Sequence, residues 1–189
     1  MLKKWDLINR KIVLKTDLFD VCENRFRKPN NELTPIKTVL LDTPDWVNVI
    51  AVNENKEILL IRQFRFGTNK IELEIPGGIM NPEESPKKAA VRELKEETGY
   101  KVDRIKKIGN VAANPAFMNN HYHSFMARIS EKGETQFDPD EIIECEFASL
   151  KAIREYLKNG TIMNAYSVLA FFWLFLSQNK LKFPQEFLI

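Results

Sequence analysis

The sequence predicts an α+β fold, an α/β/α sandwich in which a mixed β-sheet lies between helices and a small antiparallel β-sheet precedes it. Strand-like runs recur along the 189 residues, only three segments carry convincing helix signals, and two early strand-like runs flank a turn at 29–31. We therefore expect an N-terminal β-sheet appendage over residues 1–42 and a main domain over residues 43–189.

The strands are predicted from short runs of β-branched and aromatic residues bounded by turn residues. In the appendage these runs cover 17–27 and 36–41. In the main domain they cover 46–52 and 57–64, which flank a hairpin turn at 53–56, then 71–75, 102–112, 122–129 and 142–147. The run at 71–75 stops at the turn Pro76-Gly77-Gly78.

Three helices are predicted, and the first has the clearest ends. Ser85 suits the N-cap and Pro86 the first helical position, while Gly99 stands where a helix can end in a left-handed conformation. These signals predict a helix over 86–98. Two more helices are predicted at 150–158 and 165–178, and the last is apolar on every side, which is typical of a buried helix.

The composition narrows the class of protein. Lys and Arg number 28 against 26 Asp and Glu, and a net charge of +2 does not indicate nucleic acid or an anionic membrane as a partner. The cysteines, Cys22 and Cys145, form no CxxC motif, so we expect reduced thiols in a cytoplasmic protein. No apolar run follows the N-terminal lysines as in a secretory signal, and the run 168–176 is about half of a membrane span.

Three carboxylates crowd one face of the first predicted helix. Glu93, Glu96 and Glu97 stand in an i, i+3, i+4 relation, which places them within an arc of about 100°. Like charges at this spacing oppose helix formation unless a cation binds between them, and an oxygen-only set favours Mg²⁺ or Mn²⁺ over zinc. The alternative is a solvated acidic face paired with Arg92 and Lys95. The preceding glycine turn favours the metal site, because its backbone can approach a ligand closely.

The same segment fits the motif Gly-x5-Glu-x7-Arg-Glu-U-x-Glu-Glu-x-Gly-U, the Nudix box, in which U is aliphatic. The motif is filled by Gly78, Glu84, Arg92, Glu93, Leu94, Glu96, Glu97, Gly99 and Tyr100. Only Tyr100 departs from it, at a position that packs rather than reacts. A motif with this many fixed positions is highly specific, and the chain resembles the Nudix hydrolases.

Beyond the box the chain resembles the ADP-ribose and nucleoside diphosphate sugar pyrophosphatases of that family. The resemblance rests on Arg62-Gln63-Phe64-Arg65, on the residues 73–78 that enter the box, and on Pro115. It implies a Nudix fold and Mg²⁺-dependent or Mn²⁺-dependent cleavage of the diphosphate bridge of ADP-ribose or a related nucleoside diphosphate sugar. It also implies a homodimer that exchanges its N-terminal sheet between subunits.

The segment 114–121 departs from the Ser-Pro-Gly-Phe pattern of this branch, so the choice of substrate stays open. GDP-mannose or a dinucleotide is an alternative substrate. A catalytically silent nucleotide-sugar sensor of the same fold is an alternative function, although the intact carboxylates Glu93, Glu96 and Glu97 count against it.

The resemblance also implies catalytic and metal-binding residues. The metal ligands are Glu93, Glu96, Glu97 and the backbone carbonyl of Gly77. The catalytic residues are Glu96, Glu97 and Glu141. The structural residues of the motif are Gly78, Glu84 and Arg92, of which Glu84 and Arg92 pair to hold the loop against the helix. Glu141 precedes a predicted strand and acts as general base or further metal ligand, with a solvated loop acid as the alternative.

Substrate contacts are expected at Trp46, Arg65, Glu74, Phe117 and Met118. Arg65 offers a fork of N–H donors to diphosphate oxygens, and a solvated arginine at a strand end is the alternative. Trp46 stacks on the nucleobase or else packs in the core. The expected partner is therefore a small molecule.

Overall fold

The computed structural model describes residues 2–29, 36–136 and 142–177, and these ranges contain ten strands and three helices. The strands are β1 (Asp6–Lys15), β2 (Asp20–Arg27), β3 (Ile36–Asp42), β4 (Trp46–Val52), β5 (Ile58–Arg65), β6 (Lys70–Glu74), β7 (Gly77–Ile79), β8 (Tyr100–Ala112), β9 (His121–Lys132) and β10 (Ile143–Ala148). The helices are α1 (Pro86–Thr98), α2 (Leu150–Lys158) and α3 (Ala165–Ser177).

The chain forms two compact units. The first comprises Met1–Asp45 and Val111–Tyr122, and the second comprises Trp46–Asn110 and His123–Ile189. The predicted division into domains 1–42 and 43–189 stays a prediction, because compactness alone does not show that either part folds by itself.

The first unit contains a three-stranded antiparallel sheet in the order β1-β2-β3. Cys22 and Asn24 of the central strand β2 are buried, and Arg10 of β1 donates to Oδ1 of Asn24 over 3.2 Å. Residues of β1 are exposed along its whole length. Exposed apolar side chains of this sheet are Leu7, Ile8, Ile12, Val13, Leu14 and Val39.

The second unit is built on a sheet that, within the described residues, has seven strands. Its main order is β10-β5-β4-β9-β8, while β6 also pairs with β5 and β7 with β4. One face packs on α1 through a cluster that includes Val47, Val49, Ala51, Leu59, Ala89, Ala90 and Leu94. The other face packs on α2 and α3 through a cluster that includes Ile50, Ile58, Leu60, Ile153, Ala170, Phe171 and Leu174. The predicted α/β/α sandwich is therefore confirmed.

Local capping fixes both ends of α1. The hydroxyl of Ser85 accepts a hydrogen bond from the N–H of Lys88 over 3.4 Å, and Pro86 follows at the first helical position. At the other end Gly99 has φ of 75°, and its N–H donates to the carbonyl of Lys95 over 2.8 Å. The predicted bounds of this helix are confirmed.

The last helix, α3, is anchored by its buried residues Ser167, Ala170, Phe171 and Leu174. The hydroxyl of Ser167 accepts a hydrogen bond from the N–H of Ile75, which ties the helix start to the segment after β6. Neither α3 nor another helix of the described residues combines the length and apolar character that crossing a bilayer requires.

Candidate active site

The glycine pair of β7 lets the acidic helix approach the sheet closely. Strand β7 pairs with β4 so that Gly77 lies opposite Asn48 and Gly78 opposite Val47. A Cβ atom on Gly77 would collide with the carbonyl oxygen of Val47, and one on Gly78 would lie 2.5 Å from the Cδ and Oε2 atoms of Glu93. The backbone of β4 therefore requires glycine at position 77, whereas a side chain at position 78 would displace the carboxylate of Glu93.

Glu97 is the buried member of the acidic face, with 3% of the residue exposed. Its Oε2 atom accepts a hydrogen bond from the backbone N–H of Gly77 over 2.9 Å. This bond ties the C-terminal half of α1 to β7. It also orients the carboxylate of Glu97 toward the backbone of β7.

Arg92 forms ion pairs with the other carboxylates of the motif, Glu84, Glu93 and Glu96. Its Nη1 atom donates to Oε1 of Glu93 over 2.8 Å and to Oε2 of Glu96 over 2.9 Å. Its Nε and Nη2 atoms donate to the two carboxylate oxygens of Glu84 over 3.2 and 2.9 Å, and Nη2 also donates to the carbonyl of Ile79. One guanidinium thus joins the loop before α1 to the acidic face.

The pKa values of the pair follow from this geometry. The hydrogen bonds from Arg92 hold the pKa of the Glu84 carboxyl below its ordinary value of 4.5, against the opposing effect of burial, and the N–H of Asn81 adds to the lowering. The hydrogen bond to Glu84 in turn raises the pKa of Arg92, with further contributions from Glu93 and Glu96. Glu84 and Arg92 are therefore both charged at neutral pH, as the predicted bracing role requires.

The acidic face offers the donors that a divalent cation prefers. Oxygens of Glu93 and Glu96 both contact one atom, Nη1 of Arg92, so these two carboxylates already share one positive charge. Carboxylate oxygens suit Mg²⁺ or Mn²⁺. In the described part of the chain, no three acidic, histidine or cysteine side chains form a cluster that could hold a metal ion. On α1, Glu97 is hydrogen-bonded to Gly77, and Arg92 lies between Glu93 and Glu96.

Arg65 at the end of β5 and Glu74 at the end of β6 form a two-pronged ion pair. Nε and Nη2 of Arg65 each lie 2.8 Å from an oxygen of Glu74. The side chain of Glu74 is 4% exposed and that of Arg65 is 42% exposed. The buried carboxylate thus holds the guanidinium plane in one orientation at the surface. The sequence predicted both residues as substrate contacts but did not predict that they pair.

The remaining residues that the sequence predicted for the site belong to other parts of the chain. Trp46 begins β4 and meets Tyr166 of α3 edge-on, with 5.7 Å between ring centroids. Phe117 and Met118 lie in the first unit, where the carbonyl of Phe117 accepts a hydrogen bond from the N–H of Leu41 over 2.8 Å. Glu141 lies outside the described residues. Their predicted roles stay predictions.

A wide groove of about 1050 Å³ is separate from the acidic face of α1. The described residues that line it come from the 53–56 turn, the outer side of α1, β8 and β9, and include Lys56, Lys87, Val91, Ile105 and Arg128. None of them is a predicted site residue. The described lining of this groove therefore contains no carboxylate of the acidic face.

Comparison with known proteins decides the family. The NUDIX domain model matches residues 43–168, a range that contains the whole acidic helix and its glycine turn. The chain belongs to the Nudix family. The family predicted from the motif is thereby confirmed, and so is a hydrolase of the pyrophosphatase type. Nudix hydrolases generally use divalent metal ions, in agreement with the donors on α1.

Relatives align over most of this Nudix chain. It is 30% identical over 152 residues to a methanol dehydrogenase activator of Bacillus methanolicus, which covers 79% of this chain and 81% of that protein. It is 28% identical over 180 residues to an ADP-ribose pyrophosphatase of Bacillus subtilis strain 168, with coverages of 90% and 95%. The crystal structure of an ADP compounds hydrolase matches 96% of this chain and 99% of its own, with a TM-score of 0.79 and 22% identity, which confirms the Nudix fold.

Proposed function

We propose that this protein hydrolyses the diphosphate bridge of ADP-ribose or a related nucleoside diphosphate sugar to a nucleoside monophosphate and a sugar phosphate. The observation that carries the proposal is the acidic face of α1, where Arg92 gathers Glu93 and Glu96 while Gly77 orients the buried Glu97. The ADP-ribose pyrophosphatase that aligns over 90% of this chain supports the class of substrate.

The metal in this proposal is Mg²⁺ or Mn²⁺, held by Glu93, Glu96, Glu97 and the backbone carbonyl of Gly77. Their oxygens are the hard ligands that these ions prefer. When bound, the ion polarises a water molecule and neutralises negative charge on the reacting diphosphate. The motif residues Gly78, Glu84 and Arg92 keep the acidic face in place by the close contact and the hydrogen bonds described above.

The protein's own groups bind the substrate and move the proton. Arg65 contacts the diphosphate, and the buried carboxylate of Glu74 orients it. Glu141 takes the proton of the attacking water as general base. Glu96 is the alternative base, because 34% of its side chain is exposed whereas only 14% of the Glu93 side chain is.

We propose that the other predicted substrate contacts bind the nucleoside. Trp46 offers an aromatic face at the start of β4, and Phe117 is 43% exposed in the first unit. Met118 follows Phe117 and adds a flexible apolar contact. An aromatic ring and a thioether are chemically suited to a nucleobase or ribose.

We further propose that the enzyme is a cytoplasmic homodimer that exchanges its N-terminal sheet between subunits. The exposed apolar residues on β1, among them Ile12 and Leu14, support this assembly, because contiguous apolar surface indicates an interaction site. The two free cysteines agree with a reducing compartment. The balanced charge supports a small-molecule substrate rather than nucleic acid or a membrane.

A substrate panel tests the proposed function. Wild-type protein with Mg²⁺ is incubated with ADP-ribose, GDP-mannose, a dinucleotide and a nucleoside triphosphate, and products are separated by chromatography. We expect ADP-ribose or another nucleoside diphosphate sugar to give the highest kcat/KM. Activity confined to the triphosphate would contradict the proposal, and binding of a sugar nucleotide without any turnover would favour the sensor.

A further inference from the structure

We propose that Gln63 binds the substrate diphosphate by donating a hydrogen bond from its side-chain Nε2 atom to a phosphoryl oxygen. This inference rests on the proposed function and adds a binding residue to it. The residue is only 7% exposed, and its Nε2 atom is buried with no hydrogen-bond partner among the residues that the structure describes. A buried donor without an acceptor destabilises the folded protein, so it calls for an explanation.

The register of the sheet locates Gln63 relative to the Arg65–Glu74 ion pair. Ile61, Gln63 and Arg65 alternate along β5 and so share one face of the sheet. On β6, Gln63 lies opposite Glu72, and the neighbouring pair is Ile61 opposite Glu74. Because paired residues share a face, the Arg65–Glu74 ion pair lies on the same face as Gln63.

Pairing with the neighbouring strand β10 locates Gln63 relative to α1. Gln63 lies opposite Ile143, and Ile61 lies opposite Cys145. The Sγ atom of Cys145 is 3.9 Å from the backbone carbonyl oxygen of Glu97. Leu59, on this same face of β5, packs in the cluster that contains α1 residues. Gln63 therefore lies on the α1 side of the sheet, along β5 between Ile61, which is opposite Cys145, and Arg65.

The kind of atom left without a partner indicates what it binds. Nε2 of Gln63 is a donor, and the oxygens of a diphosphate are strong acceptors. Within the described ranges Asn48 also has a buried polar atom without a partner, but that atom is the acceptor Oδ1. Its amide nitrogen donates to the carbonyl of Tyr166 at α3, on the opposite face. Gln63 thus combines the right chemistry with the right face of the sheet.

The spacing along β5 lets two donors reach one diphosphate. Same-face neighbours on a strand are separated by about 6.5 to 7 Å, which the side chains of Gln63 and Arg65 can bridge from either side. A charged donor and a neutral donor would then hold the two phosphoryl groups. Loss of the neutral donor should weaken binding without removing the charge that attracts the substrate.

The test compares the wild type with Gln63→Met, which keeps the length of the side chain but removes the donor. Affinity is measured by calorimetry with Mg²⁺ and the α,β-methylene analogue of ADP-ribose, whose bridge cannot be hydrolysed but whose phosphoryl oxygens remain. We expect Kd to rise at least about tenfold, which is the size of a lost hydrogen bond to a charged group. We also expect the urea midpoint of unfolding to stay the same or rise, because the unpartnered donor is gone.

Ile61→Met is the matched control, since it alters packing on the same face of β5 and removes no donor. Its affinity should match that of the wild type. Gln63→Asn, which retains the amide but withdraws it by one methylene, replaces Gln63→Met if that variant does not fold and should also bind more weakly. Wild-type affinity in a folded Gln63 variant would overturn the assignment alone. Failure of the wild type to bind the analogue would overturn the proposed substrate class, and the assignment with it.

Discussion

The backbone N–H of Gly77 donates a hydrogen bond to Oε2 of Glu97 over 2.9 Å, which joins β7 to the C-terminal half of α1. The neighbouring glycine, Gly78, leaves the space that the Glu93 carboxylate fills. The orientation of the acidic face therefore depends on the two adjacent glycines of β7. The helix places the carboxylates on one face, and the contacts with Gly77 and Gly78 orient Glu97 and Glu93.

Replacement of Gly78 by alanine tests this dependence. The new Cβ would lie 2.5 Å from the Glu93 carboxylate, so Glu93 must move away from its position beside Arg92. We expect Gly78→Ala to lower kcat by about 10²-fold, the effect of a displacement of roughly 1 Å in an active site. The control is Gly67→Ala, because apart from its two chain neighbours no heavy atom of the described residues lies within 4 Å of a Cβ there. Equal activity of the two variants would contradict the account.

The Glu84–Arg92 pair predicts a pH dependence of stability. Because the pKa of Glu84 is below 4.5 in the folded state, its interaction stabilises the protein above pH 4.5 and is lost as the pH falls through the folded pKa. We expect Glu84→Gln to lower the free energy of unfolding by about 1 to 3 kcal/mol at neutral pH and by progressively less below pH 4.5. Urea unfolding from pH 3 to 7 measures this difference.

The control for this pH dependence is Glu131→Gln. Glu131 pairs with Lys101 at the surface, where 79% of the glutamate side chain is exposed, so its loss should change the free energy of unfolding by less than about 1 kcal/mol at any pH. If the destabilisation of Glu84→Gln is the same at pH 3 and pH 7, the Arg92 hydrogen bonds do not act through the charge of Glu84.

The proposed dimer predicts that a charge on β1 disrupts assembly. Ile12 is 52% exposed, and Ile12→Glu should place a charge in the subunit interface and yield monomers in sedimentation velocity. Lys11→Glu changes the charge at the adjacent position of the same strand and should leave the dimer intact. A wild type that sediments as a fully active monomer would refute the exchanged sheet.

The assignment of the general base predicts a difference between neighbouring loop acids. Glu141→Gln should reduce kcat by about 10²-fold or more while Kd for the methylene analogue stays unchanged, since a base acts on water rather than on binding. Asp140→Asn should have a much smaller effect. If Asp140→Asn were slower than Glu141→Gln, Asp140 rather than Glu141 would be the general base. Normal turnover in both variants would favour Glu96 as the general base.

The sequence predicted the elements whose signals are local. The ends of α1 follow from Ser85, Pro86 and Gly99, which act within one helical turn. Strand β1 was missed because it is exposed along its length and therefore lacks the one-sided apolar alternation that indicates a half-buried strand. Strand β7 was missed because two glycines indicate a turn, and only pairing with the distant β4 makes them a strand.

The same distinction applies to the candidate site. The placement of Glu93, Glu96 and Glu97 on one face of α1 could be predicted, because helix geometry alone puts positions i, i+3 and i+4 on the same side. The Arg65–Glu74 ion pair and the buried amide of Gln63 could not, because both depend on how β5 is aligned with its neighbouring strands. That alignment depends on strand pairing and burial, which the spacing of individual residues does not specify.

Hydrolysis of ADP-ribose by the wild type and by Glu97→Gln tests the central claim most directly. With Mg²⁺, the wild type should release AMP and ribose 5-phosphate in equal amounts, and EDTA should abolish the reaction. Glu97→Gln should keep the urea midpoint of the wild type, because the amide oxygen can still accept from Gly77, but should lose about 10²-fold or more in kcat. Undiminished turnover in EDTA, or near-normal turnover of Glu97→Gln, would contradict a metal-dependent hydrolase built on the acidic face of α1.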